Sequence, residues 1–495
     1  MSRSTPRTKL ALLALCLCLV GSVQIATRAS ATTAVSGGIS QAYNPGRGTA
    51  PSVDAAYAGE PLTVQTGYVG RGAAEPTLGL DKLGNAYVAA GQFDSLARVL
   101  PKTFVMKSSD GGTTWAKTSP MIPGTTEPNP PVTADPMVVV DQDTGRLFNP
   151  ELYAACNYMG ISDDQGKTWI SNPAACGNLT VDHQTIAVAP FPAALKPLQR
   201  DYPNVIYYCA NRVADANCGR SLDGGLVWSA TPTPAYLGFD PAAGGLCGGL
   251  HGHLDGDSQG RIFLPKGHCN KPYVAVSEDG GNTWTRTKVS DKTSSDTHLS
   301  VATDAADNVY VLWPDENRLP WLAVSTDHGK TFGEPMMVAP PGVKETAFAV
   351  MEAGDAGKVS ITFLGNTSGD RKNLQRPWNQ YMTLTENVLD PSPLFVSTTA
   401  NPESDPVIRG GCEDDASAGG GRCGGVWDFI DIQTSPVDGA TWAVGADGCQ
   451  KSTCTKVGGR DEDAMTGEGF AVRQLTGPRI RTIAPAPGTA PAPAP

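Results

Sequence analysis

Ser277-Glu-Asp279-Gly-Gly281-Asn-Thr283-Trp284 decides the fold, because the chain writes this phrase five times. It returns as Ser108 to Trp115 around Asp110, Ser162 to Trp169 around Asp164, and Ser221 to Trp228 around Asp223. The last copy runs from Ser325 to Phe332 around Asp327. Successive Asp positions are 54, 59, 56 and 48 residues apart (164−110, 223−164, 279−223, 327−279). A period near fifty, with short β-rich runs between copies, is the spacing of four-stranded propeller blades. The phrase reads as a tight turn. Asp and Ser side chains bond nearby backbone amides, Gly takes a conformation other residues avoid, and Trp packs into the sheet. These Asp residues are therefore expected to shape the fold and not to do chemistry.

The pattern S-x-D-x-G-x-T-W resembles the Asp-box, or BNR, repeat of sialidase-like propellers, and the resemblance spans most of the chain. It implies a propeller fold and action on glycans as a glycoside hydrolase or polysaccharide lyase. Sialidases hold a substrate carboxylate with an arginine triad, whose first member sits in a Phe-Arg-Ile-Pro phrase opening blade one. The matching stretch here is Ala73-Ala74-Glu75-Pro76-Thr77, with Ala74 in the arginine's place and Arg71 out of register. The resemblance thus stops short of sialidase chemistry itself. Arg98, Arg212, Arg318, Arg371 and Arg376 fall in predicted loops on the channel-mouth face. Of these, Arg318, Arg212 and Arg376 are the candidates for binding an acidic sugar.

A fainter repeat precedes each turn: a polar residue, four or five strand residues, then a turn near Asp or Gly. Seven such units are legible, so seven blades are expected, with six as the alternative. The last two lack the Ser-x-Asp phrase, carrying Tyr381 to Thr385 and Phe470 to Gln474 where its preceding strand belongs. The outer strand of the seventh is expected from the N-terminal stretch Leu62 to Tyr68, which closes the ring. At one register the units place Glu75, Asp135, His183, His251, His298, Glu345 and Asp428. Asp, Glu and His together make 55 of 495 residues (49 + 6), so seven in seven is far above composition. Side chains alternate faces along a strand. Small residues such as Thr77 and Gly79, Thr185 and Ala187, or Ser300 and Ala302 share this register's parity and are expected to face the channel. Leu78 and Leu80, or Ile186 and Val188, are expected to pack between blades.

That ring is the candidate catalytic centre, since imidazole and carboxylate are common acid–base groups. His183, His251, His253, His298 and Asp428 also form a candidate site for zinc or calcium. Asp182, Asp255 and Asp296 lie beside it. A plainer structural reading is that polar strand starts cap backbone groups beneath loops. The long loop from about 398 to 425, with Cys412-Glu-Asp-Asp415, reads as a solvated loop, with a lid or weak calcium site as the alternative.

Arg3, Arg7 and Lys9, an apolar run from Leu10 to Val20, and Ala29-Ser30-Ala31 read as a secretory leader, residues 1–31. Residues 32–56 read as a flexible lead-in, 57–478 as the propeller and 479–495 as an Ala/Pro-rich disordered tail. Net charge is −11, which argues against nucleic acid as a partner. No later stretch is long and apolar enough to span a bilayer. Twelve cysteines include two in the leader, leaving ten. Local pairing gives Cys156–Cys176, Cys209–Cys218, Cys247–Cys269, Cys412–Cys423 and Cys449–Cys454, although sequence does not fix connectivity. The sequence thus describes a secreted, monomeric all-β propeller acting on extracellular glycans, or a non-catalytic binding propeller with a structural ion.

Overall fold

The computed structural model describes residues 38–47, 50–54, 56–71, 73–92, 102–125, 128–129, 133, 135–153, 156–176, 182–212, 215–241, 245–294, 299–373, 376–409, 428–449 and 468–483. Antiparallel sheets follow one another along the chain, and the one helical element among the described residues is a single 3-10 turn, Lys196–Leu198. Six sheets are regular four-stranded propeller blades, the number weighed as the alternative. The first five span 74–117, 139–176, 182–230, 255–288 and 300–337. The closing blade takes its three inner strands from 431–476 and its outer strand from Thr63–Arg71, which pairs with Glu468–Thr476. Between the fifth and the closing blade lies an enlarged sheet of seven strands, not another regular blade. Its inner part runs from Glu345–Ala353 to Phe395–Thr399, and Gln41–Asn44 and Ser52–Val53 extend its outer edge.

That extension corrects the expectation of a flexible lead-in over 32–56. Tyr43 is wholly buried, and its hydroxyl donates to the Val338 carbonyl at 2.6 Å. Burying one aromatic ring and pairing a strand edge outweighs the entropy of ordering four residues. The tail also begins later than 479, because Ile480 is wholly buried and its carbonyl accepts from the Asp355 amide at 2.7 Å.

The five repeated turns are built as their residues require. In the fourth blade, Asp279 accepts from Ser277 Oγ at 2.9 Å, the Thr283 amide at 2.9 Å and Thr283 Oγ1 at 2.7 Å. Gly281 has φ +88° and donates to Ser277 Oγ at 2.8 Å. In the second blade, bonds from the Thr168 side chain and amide hold the Asp164 carboxyl down at about 2. Asp279→Ala is expected to cost about 1–3 kcal/mol of stability through lost turn hydrogen bonds. Denaturant unfolding measures this; an unchanged midpoint would remove Asp279 from the fold's support.

The parity expectation holds for the large residues, which pack between blades, and fails for the small ones. Blades pack face to face, so the channel meets the unpaired edge of each inner strand while the side chains alternate between the two neighbours. Leu78 and Leu80 pack with Trp442 and Val444 of the closing blade. Thr77, Thr185 and Ser300 turn the other way and serve the next blade's edge. Thr77 Oγ1 accepts from the Val138 amide at 3.0 Å, Thr185 Oγ1 from Leu254 at 2.8 Å, and Ser300 Oγ from Met351 at 3.1 Å. Carboxylates do the same elsewhere. Asp135 accepts from the His183 amide at 2.9 Å, Asp255 from Thr303 at 2.7 Å, and Asp431 from Leu78 at 2.9 Å. Each bond satisfies an edge amide that has no strand to pair with.

Candidate functional site

Inner strands begin with a repeated backbone irregularity. The ladder shifts register between Ala74 and Thr77, between Asp182 and Thr185, and between Ala347 and Val350. Within each shift one residue is left-handed: Glu75 at φ +54°, His183 at +50° and Phe348 at +54°. Asp135 has the same conformation at +48°. Asp and His enter that region more readily than most residues, so part of the ionisable ring is a backbone requirement.

The structure therefore redraws the ring. The first-hairpin turn closes at Gly354 in the enlarged sheet and at Ser435 in the closing blade. Counting back from those turns, as from Asp81 in the first blade, puts Phe348 and Phe429 at the shared register. Glu345 and Asp428 are out of it. Both units lack an Asp at the turn position, where Gly354 and Ser435 stand instead, so the sequence carries no marker of the register there. His298 and Asp296 lie outside the described residues.

At the mouth, His183 and His253 line a cavity of about 20 Å³ with Phe348, Phe429 and Ser300. The His253 ring lies 5.2 Å from that of Phe429, and His183 lies 6.0 Å from Phe429 and 5.7 Å from His251. His251 is wholly buried, with Nδ1 2.8 Å from the Gly252 carbonyl. Burial pushes His251 down to about 3 and His253 to about 4. Both are therefore neutral at ordinary pH and pack as aromatic rings. Among the described residues, no three His, Cys, Asp or Glu side chains form a group that could hold a metal ion. Glu75 and Asp135 are buried, and Asp135 serves the backbone bond to His183.

Further into the channel is a cavity of about 380 Å³, lined by Asp255, Glu352, Asp431, Gln433 and Arg481. Burial raises Asp255 to about 6 and Asp431 to about 7. Glu352 is also raised to about 7, by burial and the nearby Asp431 and Asp255, against Arg481 and Thr434.

Glu345 has another role. Its buried carboxylate gathers three guanidiniums from two hairpins on the mouth face. Arg318 Nη1 lies at 3.1 Å, Arg376 Nε at 3.2 Å and Arg371 Nε at 3.9 Å. Arg376 is wholly buried and sits over the Trp378 ring at 5.5 Å. Arg371 keeps 46% of its side chain exposed, and its Nη2 donates to the Asn317 carbonyl at 2.7 Å. The sequence named these residues singly, since no motif joins hairpins so far apart in the chain. Arg212 ends the strand Asn204–Arg212 of the third blade and is no part of this cluster; Arg98 is outside the described residues.

Two expected disulfides are present, Cys209–Cys218 and Cys247–Cys269. Cys156 and Cys449 are also disulfide-bonded, and Cys156 faces Cys176 across the ladder. The Cys176 side chain, Cys412, Cys423 and Cys454 lie outside the described residues. No described helix is long and apolar enough to cross a membrane.

No family model matches the chain, and no curated protein matches it in sequence. Its fold does match solved structures. One is the BP39L lectin of Burkholderia pseudomallei, at 11% identity and TM-score 0.51, over 76% of this chain and 93% of that one. Another is a Dyadobacter fermentans protein of unknown function, at 13% identity and TM-score 0.44, over 84% and 99% of the two chains. A leech intramolecular trans-sialidase matches at 11% identity and TM-score 0.41, over 82% and 68%. At such identities the fold is what is shared: an all-β propeller.

Proposed function

We propose that this chain is a secreted glycan-binding propeller that recognises carboxylated sugars at the arginine cluster on its mouth face. The observation that carries the reading is the grip of Glu345 on Arg318, Arg371 and Arg376. One buried carboxylate holds the guanidiniums in place before any ligand arrives, and the half-exposed Arg371 lies at the surface edge of the cluster. A planar guanidinium fork suits a carboxylate better than an ammonium does. The lectin among the propeller neighbours supports binding to sugars, and the leader-like first 31 residues support export. Binding is favoured over bond cleavage because His183 and His253 pack against the Phe429 ring.

Isothermal titration with a hexuronate oligosaccharide and its neutral, carboxyl-reduced counterpart tests this. The acidic ligand is expected to bind more tightly, and Arg371→Ala to weaken it roughly tenfold, the loss of one charge-assisted contact. Equal affinity for both ligands, or no effect of Arg371→Ala and Arg318→Lys, would overturn the reading. Release of new reducing ends would replace binding with catalysis.

A further inference from the structure

The face that carries the repeated turns, opposite the mouth, holds a second open site. A groove of about 590 Å³ runs between the outer strand of the fourth blade and the turn of the fifth. Its polar wall is Glu278, Thr285, Thr287, His328 and Lys330, over a floor that includes Val276 and Ala194. We propose that this groove binds a neutral sugar residue.

His328 is the first reason. It has φ +64° at the turn position where three of the other copies carry glycine: Gly111, Gly224 and Gly280, each at +74°. Glycine takes that conformation most easily, His more readily than most other residues, and Gln165 holds it in the second copy at +62°, so the fifth turn admits an imidazole that then faces the groove. Its ring is fixed from behind. Arg261 Nε pairs with Asp257 at 2.5 Å, and Arg261 Nη2 lies 2.9 Å from His328 Nδ1. The Asp307 carbonyl lies 3.3 Å from the same Nδ1, so two neighbours hold this edge of the ring and set its orientation.

The second reason is the balance of the lining. Asp279 also borders the groove, but Ser277 and Thr283 occupy its oxygens. Those bonds hold Asp279 ionised, so with Glu278 and Lys330 the lining carries two carboxylates against one ammonium, which disfavours an anionic ligand and suits an uncharged one whose hydroxyls donate. Thr285 and Thr287, two residues apart on the strand Thr285–Lys288, lie on one side of it and offer hydroxyls that both donate and accept. A pyranose presents the complement: a rim of hydroxyls that donate and accept, a C–H face for the apolar floor, and no charge. The volume lies within the range of small-ligand sites.

Saturation-transfer NMR on the full chain tests this, with the methyl glycosides of glucose, galactose, mannose, fucose and N-acetylglucosamine as probes. At least one is expected to bind, and Thr287→Val and Lys330→Met are each expected to weaken it about fivefold or more with an unchanged circular dichroism spectrum. Arg371→Ala is expected to leave it intact, which separates this groove from the mouth-face cluster. No binding by any probe, binding that survives both groove variants, or binding lost with Arg371→Ala would overturn the proposal.

Discussion

Gly252→Ala is expected to collapse the mouth of the propeller. A Cβ built on Gly252 would stand 1.5 Å from the Leu299 carbonyl oxygen and 2.7 Å from its carbon. Those are backbone atoms of the fifth blade, so no side chain can swing aside. Gly252 is itself held by its amide, which donates to the Pro265 carbonyl at 2.9 Å, and two residues on Leu254 bonds to Thr185. Relief requires the fourth and fifth blades to part where His251 and His253 pack. Overpacking in a well-packed core costs typically about 1–3 kcal/mol when side chains can adjust; here they cannot, and a loss above about 3 kcal/mol is expected. Denaturant unfolding would show it, together with exposure of the mouth histidines to chemical modification. A variant as stable as the parent would mean that the two blades do not approach this closely.

The second large effect is a pH dependence in the channel. Glu352 is raised from 4.5 to about 7, chiefly by burial, and Oε2 has no hydrogen-bond partner among the described residues. A carboxyl with a raised folded-state pKa keeps its proton in the fold after the unfolded chain has lost it. Its contribution is complete below about pH 4.5 and is lost as pH rises through about 7. Glu352→Gln keeps the neutral shape and removes that titration. Between pH 4.5 and 7.5 the parent is expected to lose stability relative to Glu352→Gln, by about 3 kcal/mol. His251 works in the opposite sense, contributing above about pH 6.5 and losing that contribution as pH falls toward 3. The comparison with Glu352→Gln cancels the histidine part, which both proteins share. A difference that stays flat across this range would show that Glu352 is ionised in the fold throughout.

How much of this was legible in the chain depends on the range of the forces involved. The repeated turns were, because each is a local device whose bonds reach no more than four residues, as from Thr283 to Asp279. The closing strand was legible because Leu62 to Tyr68 alternates and the last unit lacked a partner. The strand Gln41–Asn44 was not: four residues carry no period, and what orders them is the pocket around Tyr43, made by residues some 300 positions away. The ionisable ring was half right. His183 and Asp135 stand where expected, but the pattern counted side-chain chemistry when the repeated element was a left-handed backbone position, which Phe348 fills as well. Glu345 illustrates the converse. It lies out of the shared register, yet three arginines from two hairpins converge on it, a contact between distant segments that no local pattern encodes.

The bonds between inner strands have one more property. From Thr77 to Val138, Asp135 to His183, Thr185 to Leu254, Asp255 to Thr303 and Ser300 to Met351, the acceptor side chain always belongs to the earlier blade and the amide to the later. The junction from Asp431 to Leu78 keeps that sense of rotation, although there the chain runs from its end back to its beginning. The ring is therefore directed at each described joint except the one between the enlarged sheet and the closing blade, a cycle in which the joint that meets the termini is chemically like those crossed by continuous chain. Such a cycle has no first member. Where translation starts along it is a matter of synthesis, and the stability of each joint does not depend on that choice.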